Sequence, residues 1–245
     1  MSRYFIEVSY KGTNYSGFQV QENANSIQEE VEKALQIFFR NKFELTGSSR
    51  TDAGVHALKN FFHFDSNELP DEKTISNSIY NINAILPDDI VVQKIFKVAD
   101  DAHCRFDALS REYKYFVYQH KDPFLADRAF YYPYKLDIEK LQQAAAVILN
   151  YNDFSSFSKR NTQVKTFQCT IAKSEWLQEK DTLVYNVIAN RFLRGMVRGL
   201  AGTMLKVGTG KITINEFISI IESKDSSKAD FSVPPQALFL VNVQF

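Results

Sequence analysis

The sequence predicts an α+β protein whose strands pair mainly antiparallel. Two observations support this prediction. Short segments alternate apolar and polar residues with the period of a strand, and longer segments place apolar residues at helical spacing. The order of these segments is strand, helix, strand, strand, helix, strand, and it occurs once before residue 102 and once after it. The 245 residues suffice for one large domain or two small ones, each with a sizeable core.

The first half begins with strict alternation over residues 4–10, which indicates a strand. Ser26-Ile27-Gln28-Glu29 has the pattern of a capping box, and the helix behind it has one apolar stripe that reaches Phe38. Pro87 ends the second helix, because proline disfavours a helical conformation in the residue before it. The predicted segments are strands at 4–10, 43–48, 58–65 and 90–98, with helices at 27–38 and 73–86.

The second half contains signals of the same kind. Asp137 can cap a helix that reaches residue 149, and residues 179–181 form the turn of a hairpin. A further helix ends at Gly208, which is expected to adopt the left-handed conformation of a C-cap. The predicted segments are strands at 111–118, 166–178, 182–189 and 238–245, with helices at 137–149, 193–207 and 214–222.

This element order is that of the ferredoxin-like unit. Two tandem units, at residues 1–102 and 103–245, can form one extended, mainly antiparallel sheet with helices on one face. The opposite face is then open to a ligand, and sheets of this kind commonly bind RNA. The fold alone, however, does not determine the function.

Charge, apolar segments and cysteine content disfavour several classes of protein. The net charge is zero, which argues against broad adhesion to nucleic acid, yet residues 182–215 carry five basic side chains and no acidic one. No segment approaches the roughly 18 apolar residues of a membrane helix, and the N-terminus lacks the pattern of a signal peptide. Cys104 and Cys169 are too few for a disulfide framework, so we expect reduced thiols in a cytoplasmic protein.

The stretch GSSRTDAGVHA, residues 47–57, holds one carboxylate in a predicted turn between two strands. An Asp in a turn usually bonds nearby backbone amides. Gly54, however, allows backbone conformations closed to other residues, so the turn can also display Asp52 outward. Arg50, two residues earlier, can reach a phosphate or a base edge.

Two other chemistries fit this stretch poorly. An aspartic protease needs two carboxylates that share a proton, and no second copy of the motif is present. A zinc site is disfavoured because His56 and His63 have no cysteine or carboxylate at ligand spacing, and His103 offers nothing distinctive.

SRTDAGVHA resembles the G-R-T-D-A-G-V-H signature of the TruA-type tRNA pseudouridine synthase family. The resemblance continues in order through YKGTNYSGFQVQ, NAILPDDI, AHCRFDALSREYKYFVY, NDFSSF, NRFLRGMVRGLAGTMLKVG and PPQALFLVNV. Three positions depart from the family pattern. Ser49 and Ala237 stand in place of glycines, and Phe18 stands in place of a tryptophan. None of these changes removes a chemical group, so they affect the expected substrate preference rather than the expected activity.

The resemblance implies an isomerase that converts uridine to pseudouridine in the tRNA anticodon stem-loop, at positions 38, 39 and/or 40, without cofactor or metal. The family's catalytic aspartate, the nucleophile, falls on Asp52, in the N-terminal unit. In the family, an arginine offsets the cost of burying that carboxylate, and it falls on Arg198. Arg198 lies in the C-terminal unit, which is expected to complete the active-site cleft. Tyr113 would stack on the uracil, and Arg50 would help to hold the flipped nucleotide.

The resemblance also implies a homodimer whose two subunits grip one tRNA. Four basic residues are candidate phosphate contacts by charge and position only: Lys159, Arg160, Arg191 and Arg194. Each is also compatible with an ordinary surface position. Tyr113 could simply pack on a sheet, and Arg198 could face solvent on an amphipathic helix.

Two functions of other classes remain as alternatives. A non-catalytic tRNA-binding or RNA-folding module would keep the sheet, although binding alone needs no set such as Asp52, Tyr113 and Arg198. A metal-dependent hydrolase lacks recognisable ligands in the sequence.

Overall fold

The computed structural model of the chain describes residues 1–66, 72–160 and 164–245. These residues form two compact units, one of Met1–Leu109 with Leu240–Phe245 and one of Ser110–Phe239. Helices and mainly antiparallel strands are mixed in both, which confirms the predicted α+β class. Within these ranges, no helix is long and apolar enough to cross a membrane.

The first unit has the predicted order of strands and helices. Its elements are β1 (Ser2–Tyr10), α1 (Ile27–Phe39), β2 (Thr46–Gly47), β3 (His56–Ser66), α2 (Glu72–Ile85) and β4 (Ile90–Lys97). Strand β1 is central and pairs antiparallel with β3 and β4, while β2 pairs antiparallel with β3. This connectivity is ferredoxin-like. Phe245, at the end of the chain, packs against Phe5 and Phe61 of this sheet.

Helix α1 begins as its sequence predicts. The Ser26 hydroxyl accepts a hydrogen bond from the Glu29 N–H at 3.2 Å, and the Glu29 carboxylate lies 2.9 Å from Lys33 Nζ. The apolar stripe of the helix, which includes Val31 and Leu35, is buried. Helix α1 therefore covers the sheet with the face that its periodicity predicts.

The strand predicted over residues 43–48 is shortened to β2. The Leu45 N–H donates to Glu32 Oε1 at 3.0 Å, and Gln28 Nε2 donates to the Leu45 carbonyl at 2.8 Å. Side chains of α1 thus satisfy the main-chain groups of Leu45, and pairing with β3 is limited to Thr46 and Gly47.

The second unit repeats the order with additions. Its elements are β5 (Ser110–Tyr118), β6 (Phe130–Tyr131), α3 (Ile138–Val147), β7 (Ile171–Glu179), β8 (Thr182–Ala189), α4 (Met196–Gly208), α5 (Ile214–Glu222) and the start of β9 (Leu238–Gln244). Strand β8 pairs antiparallel with β5 and β7, and β6 pairs parallel to β5. Phe239, at the start of β9, packs edge-on against Phe116 of β5, with ring centroids 5.2 Å apart. The predicted cap at Asp137 is confirmed, since its carboxylate accepts the Lys140 N–H.

The prediction of a left-handed cap at Gly208 is wrong. Gly208 is still helical, and a Cβ there would lie 2.8 Å from the Leu141 side chain of α3. The left-handed residue is Gly210, with φ +74°. Gly208 is therefore needed for close helix packing, and the chain turns two residues later.

Candidate active site

Asp52 lies half-buried in the loop between β2 and β3. Its main-chain carbonyl accepts the Val55 N–H at 3.1 Å, which closes a four-residue turn. Gly54 occupies the third position with φ +79°, the value that a type II turn requires there. The sequence DAGV therefore folds into a tight turn because it has glycine at the one position that needs it.

Buried hydrogen bonds hold the residues before Asp52. The Tyr10 hydroxyl lies 2.8 Å from Thr51 Oγ1. Asn60 Nδ2 donates both to the Tyr10 hydroxyl at 3.1 Å and to the Ser49 carbonyl at 2.8 Å. Burial raises the pKa of the Tyr10 phenol far above its ordinary value, so the hydroxyl remains protonated. Strands β1 and β3 thus fix the main chain next to Asp52.

The loop between β1 and α1 packs against the turn through glycines. A Cβ at Gly12 would lie 2.0 Å from the Val55 carbonyl oxygen, and one at Gly17 would lie 3.1 Å from the Thr51 carbonyl oxygen. The Gly12 N–H donates to Nδ1 of the buried His56 at 3.0 Å. His56 therefore joins this loop to the end of the Asp52 turn.

Arg50 is exposed and lines a cavity of about 180 Å³ in the first unit. Arg105, His103 and Phe106 line the same cavity. Phe106 is 74% exposed, and the Arg105 guanidinium lies 5.7 Å from its ring centroid. Cationic groups beside an exposed aromatic ring are suited to phosphates and unstacked bases.

Arg198 lies in the first turn of α4, in the second unit, and its side chain is well ordered by hydrogen bonds. Its Nε and Nη2 donate to the Val233 carbonyl at 2.9 and 2.6 Å, and Nη2 also donates to the Phe231 carbonyl at 3.1 Å. The side chain is half-buried, so the interpretation that it merely faces solvent is not supported. These main-chain carbonyls fix the position of the planar Arg198 guanidinium group.

Small residues of α4 allow the segment at 230–233 to approach the helix. A Cβ at Gly202 would lie 2.4 Å from the Asp230 carbonyl oxygen, and one at Gly199 would lie 2.8 Å from the Phe231 ring. The Asp230 N–H donates to Thr203 Oγ1 at 2.9 Å. The GLAGT sequence of α4 thus positions the carbonyls that hold Arg198.

Two tyrosines of β5 belong to the same unit. Tyr113 is 8% exposed, and its ring meets Phe192 edge-on at 5.1 Å. The Tyr115 hydroxyl donates to the Pro234 carbonyl at 3.0 Å. Burial raises the pKa of the Tyr115 phenol, and the positive charge of Arg198 opposes that shift. Tyr115 and Arg198 therefore hold the same short segment of main chain.

The four basic candidates in the second unit differ in their surroundings. The Lys159 N–H donates to the Arg194 carbonyl at 2.9 Å, so these two residues are neighbours. Arg160 is exposed and lies 3.7 Å from the Asp225 carboxylate. Arg191 is half-buried and lowers the pKa of Cys169, although burial dominates and raises that pKa to about 11. The main chains of Lys159 and Arg194 are thus adjacent, although these residues lie 35 positions apart in the sequence.

A family model described as tRNA pseudouridine synthase matches residues 6–107 and 145–245. The chain is 46% identical over 248 residues to tRNA pseudouridine synthase A of Parabacteroides distasonis, covering 100% of this chain and 96% of the relative. It is also 46% identical to the protein of that name from Bacteroides thetaiotaomicron, covering 100% and 91%. Its identity to the Staphylococcus aureus protein of that name is 36%, with 98% and 90% covered.

The chain belongs to the tRNA pseudouridine synthase family. This is a family of isomerases, and the family predicted from the sequence is thereby confirmed.

In this pseudouridine synthase, sequence reasoning missed the residues that hold the Asp52 turn. Tyr10 and Asn60 were interpreted only as strand residues, and Gly12 only as part of a matching block. A polar Asn60 among the apolar residues of β3 was a usable signal, because a buried amide needs partners. Sequence reasoning also missed that His63 lies beside His103 and Cys104.

Proposed function

We propose that this chain converts uridine to pseudouridine in the anticodon stem-loop of tRNA, at positions 38, 39 and/or 40. The N1–C1′ bond of the uridine breaks, the uracil turns, and a C5–C1′ bond forms, while C5 loses a proton to solvent and N1 gains one. The observation that carries this proposal is the Asp52 turn, displayed on a loop that Tyr10, Asn60 and Thr51 hold in place. A loop of that construction can keep a carboxylate at a fixed position during a reaction.

Asp52 acts as the nucleophile in this proposal. A carboxylate can form a covalent intermediate at a sugar carbon or add to an electron-poor ring. Both routes use the same side chain.

The other site residues have separate roles. Arg198 balances the negative charge of Asp52, for which its fixed guanidinium is suited. Tyr113 stacks on the uracil. Arg50 holds the target nucleotide outside its helix, because a base within a stem is inaccessible and flipping it costs a few kcal/mol.

Binding of the tRNA depends on the phosphate backbone. Lys159, Arg160, Arg191 and Arg194 contact phosphates in this proposal, and a main-chain hydrogen bond brings Lys159 next to Arg194. Two subunits of a homodimer grip one tRNA, which lets a chain of zero net charge present enough basic surface. Because tRNA is the proposed substrate, we propose that the chain acts in the cytoplasm.

The modified positions can be tested with transcribed tRNAs that keep uridine at only one of positions 38, 39 and 40 and carry cytidine at the other two. Pseudouridine is then mapped by the block that carbodiimide adducts cause in reverse transcription. We expect adducts at one or more of these three positions and at no other uridine. Modification confined to another arm of the tRNA would contradict the proposed target.

The role of Arg198 gives a second prediction. Arg198→Ala should lower the single-turnover rate by about a hundredfold, and Arg198→Lys by less, because lysine keeps the charge but not the planar fork. Lys211→Ala is the control, since it removes an exposed cation just after the same helix, where the Lys211 ammonium lies 5.4 Å from the Tyr134 ring. The control should keep the wild-type rate. A folded Arg198→Ala variant with the wild-type rate would refute the assigned role.

A further inference from the structure

His63, His103 and Cys104 form a cluster of metal-ligating side chains in the first unit. One donor atom from each lies within 4.8 Å of the other two. His63 Nδ1 and Cys104 Sγ are 3.1 Å apart. Around tetrahedral zinc, neighbouring nitrogen and sulfur ligands lie about 3.3–3.6 Å apart, given the usual bond lengths. The side chains would therefore need to move by only about 1 Å to surround an ion.

The main chain of the cluster is held on both sides. Arg3 Nη1 donates to the Ala102 carbonyl at 2.9 Å, just before His103. The His103 N–H donates to Asp107 Oδ2 at 2.6 Å, and the Asp107 N–H donates to the His103 carbonyl at 3.0 Å. His63 lies within β3, opposite Phe5 of β1. The ligands are thus largely preorganised, which lowers the cost of binding.

Hydrogen bonds show how the donor atoms are oriented. The Cys104 thiol donates to the Thr46 carbonyl at 3.2 Å, and the Cys104 N–H points at His63 Nδ1 at 3.4 Å. In this arrangement Nδ1 accepts the long contact from the Cys104 N–H, and an ion bound through Nδ1 would replace that contact. A cation that replaces the thiol proton would then be held by the imidazole nitrogen and the thiolate together.

His103 is the ligand that must adjust. Its Nδ1 accepts the N–H groups of Arg105 at 3.1 Å and of Phe106 at 3.4 Å. Coordination through Nδ1 would displace these contacts, and coordination through Nε2 would move the ring proton to Nδ1. Either change would alter residues 105 and 106, which line the cavity beside Arg50.

We propose that His63, His103 and Cys104 bind one divalent ion of the zinc class as a structural site. Two imidazoles and one thiolate form a borderline-soft ligand set, which zinc prefers over magnesium or calcium. Cys104 and His63 are buried and His103 is half-buried, so the cluster is largely shielded from solvent. The site holds the segment at 103–106 and takes no part in the isomerisation, so it does not depend on the proposed function.

The test uses the full-length protein, reduced and stripped of metal, titrated with Co²⁺ as a spectroscopic substitute for zinc. We expect saturation at one equivalent, a thiolate-to-cobalt charge-transfer band, the visible bands of tetrahedral Co²⁺, and displacement by Zn²⁺. Cys104→Ser should abolish the charge-transfer band. Cys169→Ser, which removes the other buried thiol, should leave it unchanged.

A second variant keeps the test decisive if Cys104→Ser does not fold. His103→Asn changes the half-buried ligand and should weaken Co²⁺ binding by at least about tenfold while the circular dichroism spectrum stays unchanged. Absence of a saturable band in the wild-type protein would overturn the site. A charge-transfer band that survives in Cys104→Ser, or Co²⁺ affinity unchanged in His103→Asn, would overturn it equally.

Discussion

Replacing Asp52 with Asn is expected to lower the single-turnover rate of pseudouridine formation by roughly 10³-fold or more, since an amide is a poor nucleophile. The substitution conserves shape, and the turn is closed by the main-chain carbonyl of Asp52, which the variant retains. The fold should therefore persist. The rate is measured with enzyme in excess over tRNA, so that product release does not enter.

Binding of tRNA supplies the control for this variant. Asp52→Asn removes a negative charge, so its tRNA affinity should stay within about threefold of wild type or improve slightly. The dissociation constant is measured by gel shift at a fixed salt concentration. A variant that loses tRNA binding in parallel with its rate would show that Asp52 contributes to binding rather than to chemistry.

Gly12→Ala is expected to lower both the stability of the protein and its rate. Its new Cβ would lie 2.0 Å from the Val55 carbonyl oxygen, a main-chain atom that cannot rotate away. The loop between β1 and α1 or the Asp52 turn must then shift. We expect a loss of stability of about 1–3 kcal/mol from overpacking, and a rate about a hundredfold lower because the carboxylate is misplaced.

Thr13→Ala is the matched control for Gly12→Ala, since Thr13 is the exposed next residue in the same loop. It should leave both the urea midpoint and the single-turnover rate close to those of wild type. If Gly12→Ala matched this control in both measurements, the contact between Gly12 and Val55 would not be what positions the turn.

Local signals predicted most of the fold. Helix α5 begins and ends where the sequence predicts, and Thr213 and Glu216 form a complete capping box at its start. Strand β4 and the cap at Ser26 were also predicted from a few neighbouring residues. These elements depend on side chains within four residues of one another, so one segment of sequence contains the information.

Elements that depend on distant contacts were predicted poorly. Strand β2 is shorter than predicted, and side chains of Glu32 and Gln28 in α1 satisfy the main-chain groups of Leu45. Gly208 is helical, and Leu141 of another helix occupies the space that a side chain there would need. Both places involve side chains from elsewhere in the chain, which a local sequence pattern does not contain.

In the candidate site, too, local motifs were predicted and contacts between distant residues were not. The motif around Asp52 and Arg50 was visible as a continuous stretch, whereas Tyr10 and Thr51 meet across 41 residues of sequence. His63 and Cys104 are likewise 41 residues apart, and no ligand spacing in the sequence indicated that they meet. Tertiary pairing of β1 with β3, and of β3 with the loop after β4, brings these groups together.

The most direct test of the central claim is tritium release from transcribed tRNA that carries 5-tritiated uridine. Formation of the C5–C1′ bond expels the hydrogen at C5, so release reports the isomerisation itself. We expect the wild-type protein to release tritium in step with pseudouridine formation and Asp52→Asn to release none above background. If Asp52→Asn released tritium as fast as wild type, Asp52 would not be the nucleophile. If neither protein released tritium while both bound tRNA, the chain would be a tRNA-binding module and not an active isomerase.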